Sequence, residues 1–330
     1  MDPIQAAAAA ALPKPAVYAP FRTGVYRVSP GLFPLGRDLG NGSADGLVFQ
    51  FDAEFPAYRR NTLEARAERL SKYYGTAGLR PEVDARVTEF IARQLVAEHP
   101  HWFRLDSDSS GHALQCMLTG EALAFDSDWT FADREAAGYV SALDALAAQI
   151  PEDIAIVQAD EASDTLAMIH VTAPSYWAPE EKLGHPFVGV HRPVAGMEAL
   201  NRTAPTLMAA MTKDARYQRF AWSITTDTQL NHHPDPPSDW NRPLDAWRGR
   251  AFDRATPDLY VRVERQTLIG FRDVSAFLFT IRTYFVDCAA MGPELRRAFR
   301  DALLTMTPAT LEYKGITHSF DDIIEWLGVD

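Results

Sequence analysis

Two long apolar stretches near the C-terminal end, DLYVRVERQTLIGF (258–271) and SAFLFTIRTYFV (275–286), are separated only by a short turn around Arg272-Asp273. Both are rich in β-branched and aromatic residues and alternate in polarity, which predicts strands. A connection this short cannot make the crossover that parallel strands need, so the two pair antiparallel. DIAIVQAD (153–160) and DTLAMIHVTAPS (164–175), around the acidic turn EASD (161–164), predict a second hairpin. RFAWSITTD (219–227) predicts another strand, after irregular and helical pieces that run to about residue 215. The order strand–strand, helical insert, strand–strand–strand is not a βαβα alternation, so a doubly wound parallel sheet is excluded in favour of an α+β fold. We expect an antiparallel sheet with helices on one face, flanked by helices from both ends of the chain.

The helices follow from period and punctuation. PEVDARVTEFIARQLVAEHP (81–100) opens on a proline, repeats apolar residues at helical spacing and stops before Pro100. Helices are also predicted at EARAERLSKYY (64–74), EAAGYVSALDALAAQI (135–150), PELRRAFRDALLTM (293–306) and DDIIEWLG (321–328). Short strands are expected around Leu114–Leu118 and Leu123–Phe125, after the polar turn DSDSSG (106–111), and a long loop over 231–257. The leading MDPIQAAAAAALPKPAVYAP (1–20) lacks the basic start and leucine-rich centre of a signal peptide, and is expected to be a disordered Ala/Pro tail.

Chemistry-bearing residues concentrate on the strands. Alternation puts Tyr260, Arg262, Glu264 and Gln266 on one face, and Val261, Val263, Arg265 and Thr267 on the other. On the next strand Thr280, Arg282 and Tyr284 share a face. Ionic side chains on a central strand are costly unless paired or wetted. They form either an exposed face with cross-strand Arg–Glu pairs or a polar site on a rigid sheet. Among the histidines, His170 is expected to pack in its strand, and His232-His233 to be solvated in the long loop. His185 and His191 flank the apolar run Phe187–Val190, and Arg192-Pro193 then redirects the chain. His191 is either a core histidine satisfied by a backbone carbonyl or a ligand. As zinc ligands the pair lack a third partner, whereas haem needs one imidazole and an apolar slot.

Several classes are excluded. The formal net charge of −12 opposes binding to nucleic acid or to an anionic membrane. No apolar run approaches the ~18–20 residues of a membrane span. The two cysteines, Cys116 and Cys288, lie far apart and can build neither a disulfide framework nor a cysteine metal site, so a reducing, cytoplasmic setting is expected. There is no dinucleotide fingerprint, Walker A, GxSxG or HExxH motif.

Five strings in this order, PSYWAPEEKLGHPFVGVHRPV (174–194), AWSI (221–224), YVRVERQTL (260–268), FLFTIRTY (277–284) and YKG (313–315), resemble the catalytic alpha subunit of the haem-dependent oxidative N-demethylases over roughly residues 50–328. The resemblance implies a PAS-like antiparallel five-stranded sheet clasping haem b. It implies one domain over 21–330, with a helical N-terminal extension (about 50–150) and C-terminal helices (about 293–328). It also implies oxidation of a small secondary amine such as dimethylamine by O₂, with electrons from NADPH. Those electrons come through a reductase subunit carrying flavin (FMN) and an iron–sulfur cluster, and a folate-binding subunit with tetrahydrofolate takes up the formaldehyde. On that reading His191 ligates the iron, with His185 as fallback. Arg262 stabilises bound dioxygen, Glu264 holds the amine, Gln266 orients them, and Trp222, Arg282 and Tyr284 line the cofactor. The chain departs from the family pattern at Ala195, where PVP is common, at Ser223, where Asn follows the tryptophan, and at Arg272-Asp273, where proline is common. These departures bear on substrate more than on fold. The alternatives are a haem-binding PAS-type gas sensor or scaffold without turnover, and a cofactor-free structural subunit.

Overall fold

The computed structural model describes residues 11–27, 31–131, 138–159, 163–191 and 204–328. In chain order the elements are β1 (Phe33–Pro34), α1 (Phe55–Arg69), β2 (Tyr74–Thr76), α2 (Pro81–Glu98), β3 (Phe103–Asp108), β4 (Gly111–Cys116), β5 (Glu121–Phe125) and α3 (Ala142–Ala147). They continue with β6 (Asp153–Ala159), β7 (Asp164–His170), α4 (Phe187–His191), α5 (Ala204–Met211), β8 (Arg216–Thr225) and α6 (Leu244–Trp247). The last are β9 (Tyr260–Phe271), β10 (Ala276–Asp287), α7 (Pro293–Leu304), α8 (Pro308–Tyr313) and α9 (Phe320–Leu327).

The fold is α+β. Its main sheet is antiparallel throughout, in the order β1-β8-β9-β10-β6-β7-β2. The expected five strands are its centre, and the correction to seven comes from the edges. Tyr74, read from composition as the end of a helix, instead pairs with His170, and Phe33 pairs with Gln218. Neither edge strand is long enough to show a period of its own. α1 begins at Phe55, well before the predicted start, and α3 covers only Ala142–Ala147 of the predicted 135–150 helix, of which residues 135–137 lie outside the described residues. β3, β4 and β5 make a separate antiparallel three-stranded sheet. In the expected Ala/Pro tail, residues 1–10 lie outside the described residues, but Leu12, Tyr18 and Ala19 are buried and Tyr18 bridges Gly42.

Helices cover both faces of the main sheet, not one. The first face carries Ile154, Ile156, Met168, Ile269, Phe271 and Leu278, packed with α2 and α3. Further along it, Trp222, Val263 and Tyr284 pack with Phe299 and Leu303 of α7. The second face carries Ala155, Val157, Ile169, Leu268 and Phe277, packed with Phe187 and Val190 of α4 and with Met208 and Met211 of α5. Gly270 is what lets the chain after α5 lie directly on β9. A Cβ there would stand 1.6 Å from the Lys213 carbonyl oxygen, and the Gly270 N–H donates to Ala215 O at 3.0 Å.

The first face also holds an unusual polar layer. Arg265 and Arg282 are register partners, and like charges directly opposite repel. Arg282 donates to Asp52 at 2.8 Å; Arg265 donates to Asp45 at 3.1 Å and to Leu47 O at 2.6 Å. These two carboxylates balance the two guanidinium charges. Glu152, also buried here, would be a surplus negative charge, and burial holds its pKa up at about 8 despite the arginines. Its Oε1 accepts the Gln50 N–H at 2.7 Å.

A carboxyl raised in the folded state is protonated there while the unfolded chain ionises, so stability falls as pH rises from about 4.5 to about 8. The full linkage is on the order of 5 kcal/mol at ~1.4 kcal/mol per pKa unit. Glu152→Gln keeps an acceptor for Gln50 and removes the titration. Thermal melts should show wild-type and variant alike near pH 5 and the variant several degrees more stable at pH 8.5. Equal slopes of Tm against pH would contradict this assignment.

Candidate functional site

The two faces of β9 and β10 are not equally closed. Every residue these strands place on the first face, from Val261 to Phe271 and from Ala276 to Val286, is buried. On the second face Glu264, Phe279, Ile281 and Phe285 stay partly open, as do Arg219, Ala221 and Ser223 on the neighbouring β8. The centre of a sheet is where exposure is least expected. An apolar floor with one carboxylate, open on one side, is the form of a ligand site.

α4 borders this face. The run Phe187–Val190, apolar enough to read as a strand, is instead one helical turn ending in His191. Helical spacing puts the His191 ring 4.2 Å from that of Phe187 and its Nδ1 2.8 Å from the Phe187 carbonyl oxygen. A carbonyl only accepts, so Nδ1 carries the proton and donates, and Nε2 keeps its lone pair. Burial lowers the His191 pKa, and the charges of Arg219 and Lys182 act in the same sense, which keeps the ring neutral. A neutral imidazole with Nδ1–H tied to a backbone carbonyl is prepared as a metal ligand through Nε2. Of the two alternatives for His191, the contact with a backbone carbonyl is present, through Nδ1. With the apolar floor it fits the single axial imidazole and slot that haem requires. His185 is solvent-exposed, and its main chain is occupied in the turn with Lys182 O and Leu166 N–H.

The expected site residues separate by face. Arg262, Glu264 and Gln266 lie together on the open face, as alternation predicts. Glu264 Oε2 accepts from Gln266 Nε2 at 2.9 Å. Arg262 is fully buried, with its Nε 4.0 Å from Glu264 Oε1. Its terminal nitrogens donate to Leu230 O at 2.9 Å and Ala173 O at 2.5 Å, fastening two loops to the sheet. These bonds give Arg262, for which a dioxygen-binding role was expected, an anchoring role between the sheet and the two loops.

Trp222, Arg282 and Tyr284 lie on the opposite, closed face. Trp222 pairs with Val263, Arg282 with Arg265 and Tyr284 with Val263, a register that no alternation within one strand can disclose. Tyr284 donates to Gln50 Oε1 at 2.6 Å, Arg282 is held by Asp52, and Trp222 packs on Phe21 and Phe299. The expectation that these three line the same pocket as Glu264 is corrected.

Two groups near Glu264 carry no sequence signal. Arg219 sits on β8 opposite Gln266, on the open face. Lys314, distant in sequence within the YKG string, crosses the edge of β8 and donates from Nζ to the Trp222 carbonyl at 2.6 Å. β1 pairs only with Tyr217 and Gln218 of β8, so Trp222 O is left for a side chain to satisfy. Burial lowers the Lys314 pKa to about 8, with Glu264 opposing the shift. His232 and His233, expected in solvent, are buried against carboxylates. His232 Nε2 lies 3.0 Å from Asp227 Oδ1 and His233 Nε2 lies 3.1 Å from Glu180 Oε2. His170 is buried in its strand as expected, 3.3 Å from Asp144 Oδ1. Among the described residues, no three His, Cys, Asp or Glu side chains converge as a metal cluster, and no helix is long and apolar enough to cross a membrane.

Comparison with known families gives a match over residues 45–324 to the model described as haem-dependent oxidative N-demethylase, alpha subunit-like. No curated protein matches the chain.

The anchoring by Arg262 makes a thermodynamic prediction. Arg262→Met strands the carbonyls of Ala173 and Leu230 without partners and should cost ~3 kcal/mol, read as the midpoint shift in urea unfolding. Glu264→Gln, at a partly open position, should cost under ~1 kcal/mol. A near-neutral Arg262→Met would show that its bonds to the loops contribute nothing.

Proposed function

Because the chain belongs to the haem-dependent oxidative N-demethylase, alpha subunit-like family, we propose that it binds haem b on the open face, where His191 Nε2 would hold the iron, and oxidises an N-methylated small amine there. The observation that carries this reading is the Nδ1–H donation of His191 to Phe187 O, which leaves a neutral, lone-pair-bearing nitrogen beside a partly open apolar floor. The central strands β8, β9, β10, β6 and β7 then correspond to a PAS-like sheet, extended at its edges by β1 and β2.

Bound haem would supply dioxygen activation and take up electrons from the amine. This chain's residues bind, orient and move protons. Glu264 is the partly open carboxylate of this face, whereas Asp153, opposite Ile281, is buried. It holds the amine N–H and accepts its proton as the N-methyl group is oxidised. Gln266 fixes Glu264 Oε2 at 2.9 Å, so Oε1 is the oxygen that meets the amine. Phe279, Ile281 and Phe285 keep water from the reacting nitrogen. The overall change is a secondary N-methylamine, O₂, two electrons and two protons giving the primary amine, formaldehyde and water. The electrons come from NADPH through a flavin and iron–sulfur partner, and a tetrahydrofolate-binding partner collects the formaldehyde. A sensor without turnover needs the imidazole and the slot but not a carboxylate oriented within it, so Glu264 favours the enzyme.

Two variants test the reading separately. His191→Ala, reconstituted with hemin, should lose the wild-type Soret band position and bind hemin far more weakly. Glu264→Gln should keep the wild-type spectrum and lose formaldehyde release by about 100-fold or more. An unchanged spectrum in the first, or full turnover in the second, assigns that role elsewhere.

A further inference from the structure

The helix that carries His191 cannot hold its own shape. α4 is a single turn of five residues, and one turn is not stable in water by itself. None of the five is fully buried, so the packing of Phe187 and Val190 on the second face supplies only part of what is missing. The rest has to come from contacts at its start, where a helix leaves N–H groups without partners.

Those contacts all run to β7. Where its pairing with β2 ends, β7 holds the chain that leads into α4. Gly184 donates its N–H to Leu166 O at 2.9 Å, and Leu166 donates its N–H to His185 O at 2.9 Å. Two positions earlier on the strand, Asp164 Oδ2 accepts the N–H of Phe187, the first residue of the turn, at 2.5 Å. A hydrogen bond to an ionised carboxylate is roughly twice as strong as a neutral one. Asp164 pairs with Ala159 of β6, so this carboxylate stands on an element fixed by the sheet. Phe187 is also the residue whose carbonyl oxygen receives His191 Nδ1–H, at 2.8 Å. One residue is thus held from both ends, its N–H by Asp164 and its C=O by the imidazole.

We propose that Asp164 is a positioning residue for His191: by fixing the start of α4 at Phe187, it sets where the imidazole and its Nε2 stand beside the open face. The role rests on the haem reading of His191 and adds to it the group that holds the ring in place. Without Asp164 the first N–H of the turn has no partner, the turn frays, and the Phe187 carbonyl loses the fixed direction in which it receives Nδ1–H. Nothing near Asp164 in the sequence announces this, because the strand and the helix it holds are joined only by the fold.

The test is a double-mutant cycle on the hemin-reconstituted chain, with Asp164→Ala, Asp164→Asn, His191→Ala and the double variant Asp164→Ala/His191→Ala. It reads the rate of hemin loss to excess apomyoglobin and the position of the Soret band. Partners that orient a metal ligand are commonly worth about 10–100-fold in affinity. Asp164→Ala should therefore speed hemin loss about tenfold or more and displace the Soret band. Asparagine still offers an oxygen to Phe187 N–H, so Asp164→Asn should stay within about threefold of wild-type. With His191 already replaced by alanine, Asp164→Ala should change nothing further. In the hemin-free chain, hydrogen exchange at the Phe187 amide should be slow in wild-type and Asp164→Asn and fast in Asp164→Ala. Unchanged hemin loss in Asp164→Ala, or an equal acceleration with and without His191, overturns the positioning role and leaves the haem reading intact, as does slow exchange at Phe187 in that variant. A His191→Ala chain with the wild-type Soret band, or a wild-type chain that takes up no hemin, overturns both.

Discussion

The pairing of Arg265 with Arg282 across the centre of the sheet is the constraint from which the rest of the site follows. Side chains on a strand alternate with a period of two, so this register sends Arg262, Glu264 and Gln266 to one face and Arg265, Arg282 and Tyr284 to the other. Two guanidinium groups side by side in a core would not persist alone. Asp45 and Asp52 arrive from the segment before α1 to neutralise them, which ties the N-terminal part of the chain to the middle of the sheet. The first face is thereby sealed. The second stays partly open.

Arg262 plays the complementary part on the second face. Its hydrogen bonds to Ala173 O and Leu230 O reach the two loops that follow β7 and β8. The loop after Ala173 leads through Trp177 to α4 and His191. One buried side chain on a rigid strand thus registers the loop that leads to the proposed axial ligand with the strand that carries Glu264. Sites held on strands vary less than sites held on loops, and here the loop is pinned to the strand. The Asp227–His232 pair, with Tyr176 stacked on the His232 ring at 5.3 Å, packs the same two loops together behind Arg262.

What the sequence discloses follows the range of each interaction. Strands β6 to β10 were legible because alternation and turn residues are local, and α2 because its proline start and apolar stripe are local too. β1 and β2 were not, since strands this short exist only through their partners. Glu264 and Gln266 were placed together correctly by periodicity within one strand. Trp222, Arg282 and Tyr284 were misplaced because cross-strand register decides faces, and register depends on the whole hairpin. His232 and His233 looked solvated from their polar surroundings, yet the nearby Asp227 and the distant Glu180 let them be buried. Lys314 was visible only as part of a matching string. Nothing in the chain near it announces Trp222 O or Glu264, which the fold brings from β8 and β9.

Ser223 gives the departures from the family pattern a physical meaning. Its register partner is Arg262, so it lies on the open face one step along β8 from Ala221, the partner of Glu264. A hydroxyl in place of an amide there removes volume and one strong donor beside the carboxylate, without touching the sealed face or any core residue. The fold therefore tolerates the change, whereas the space and hydrogen-bond donors around Glu264 do not stay the same. The change is confined to the partly open side of β8, where Ser223 and Ala221 leave more space beside the carboxylate than a larger residue would.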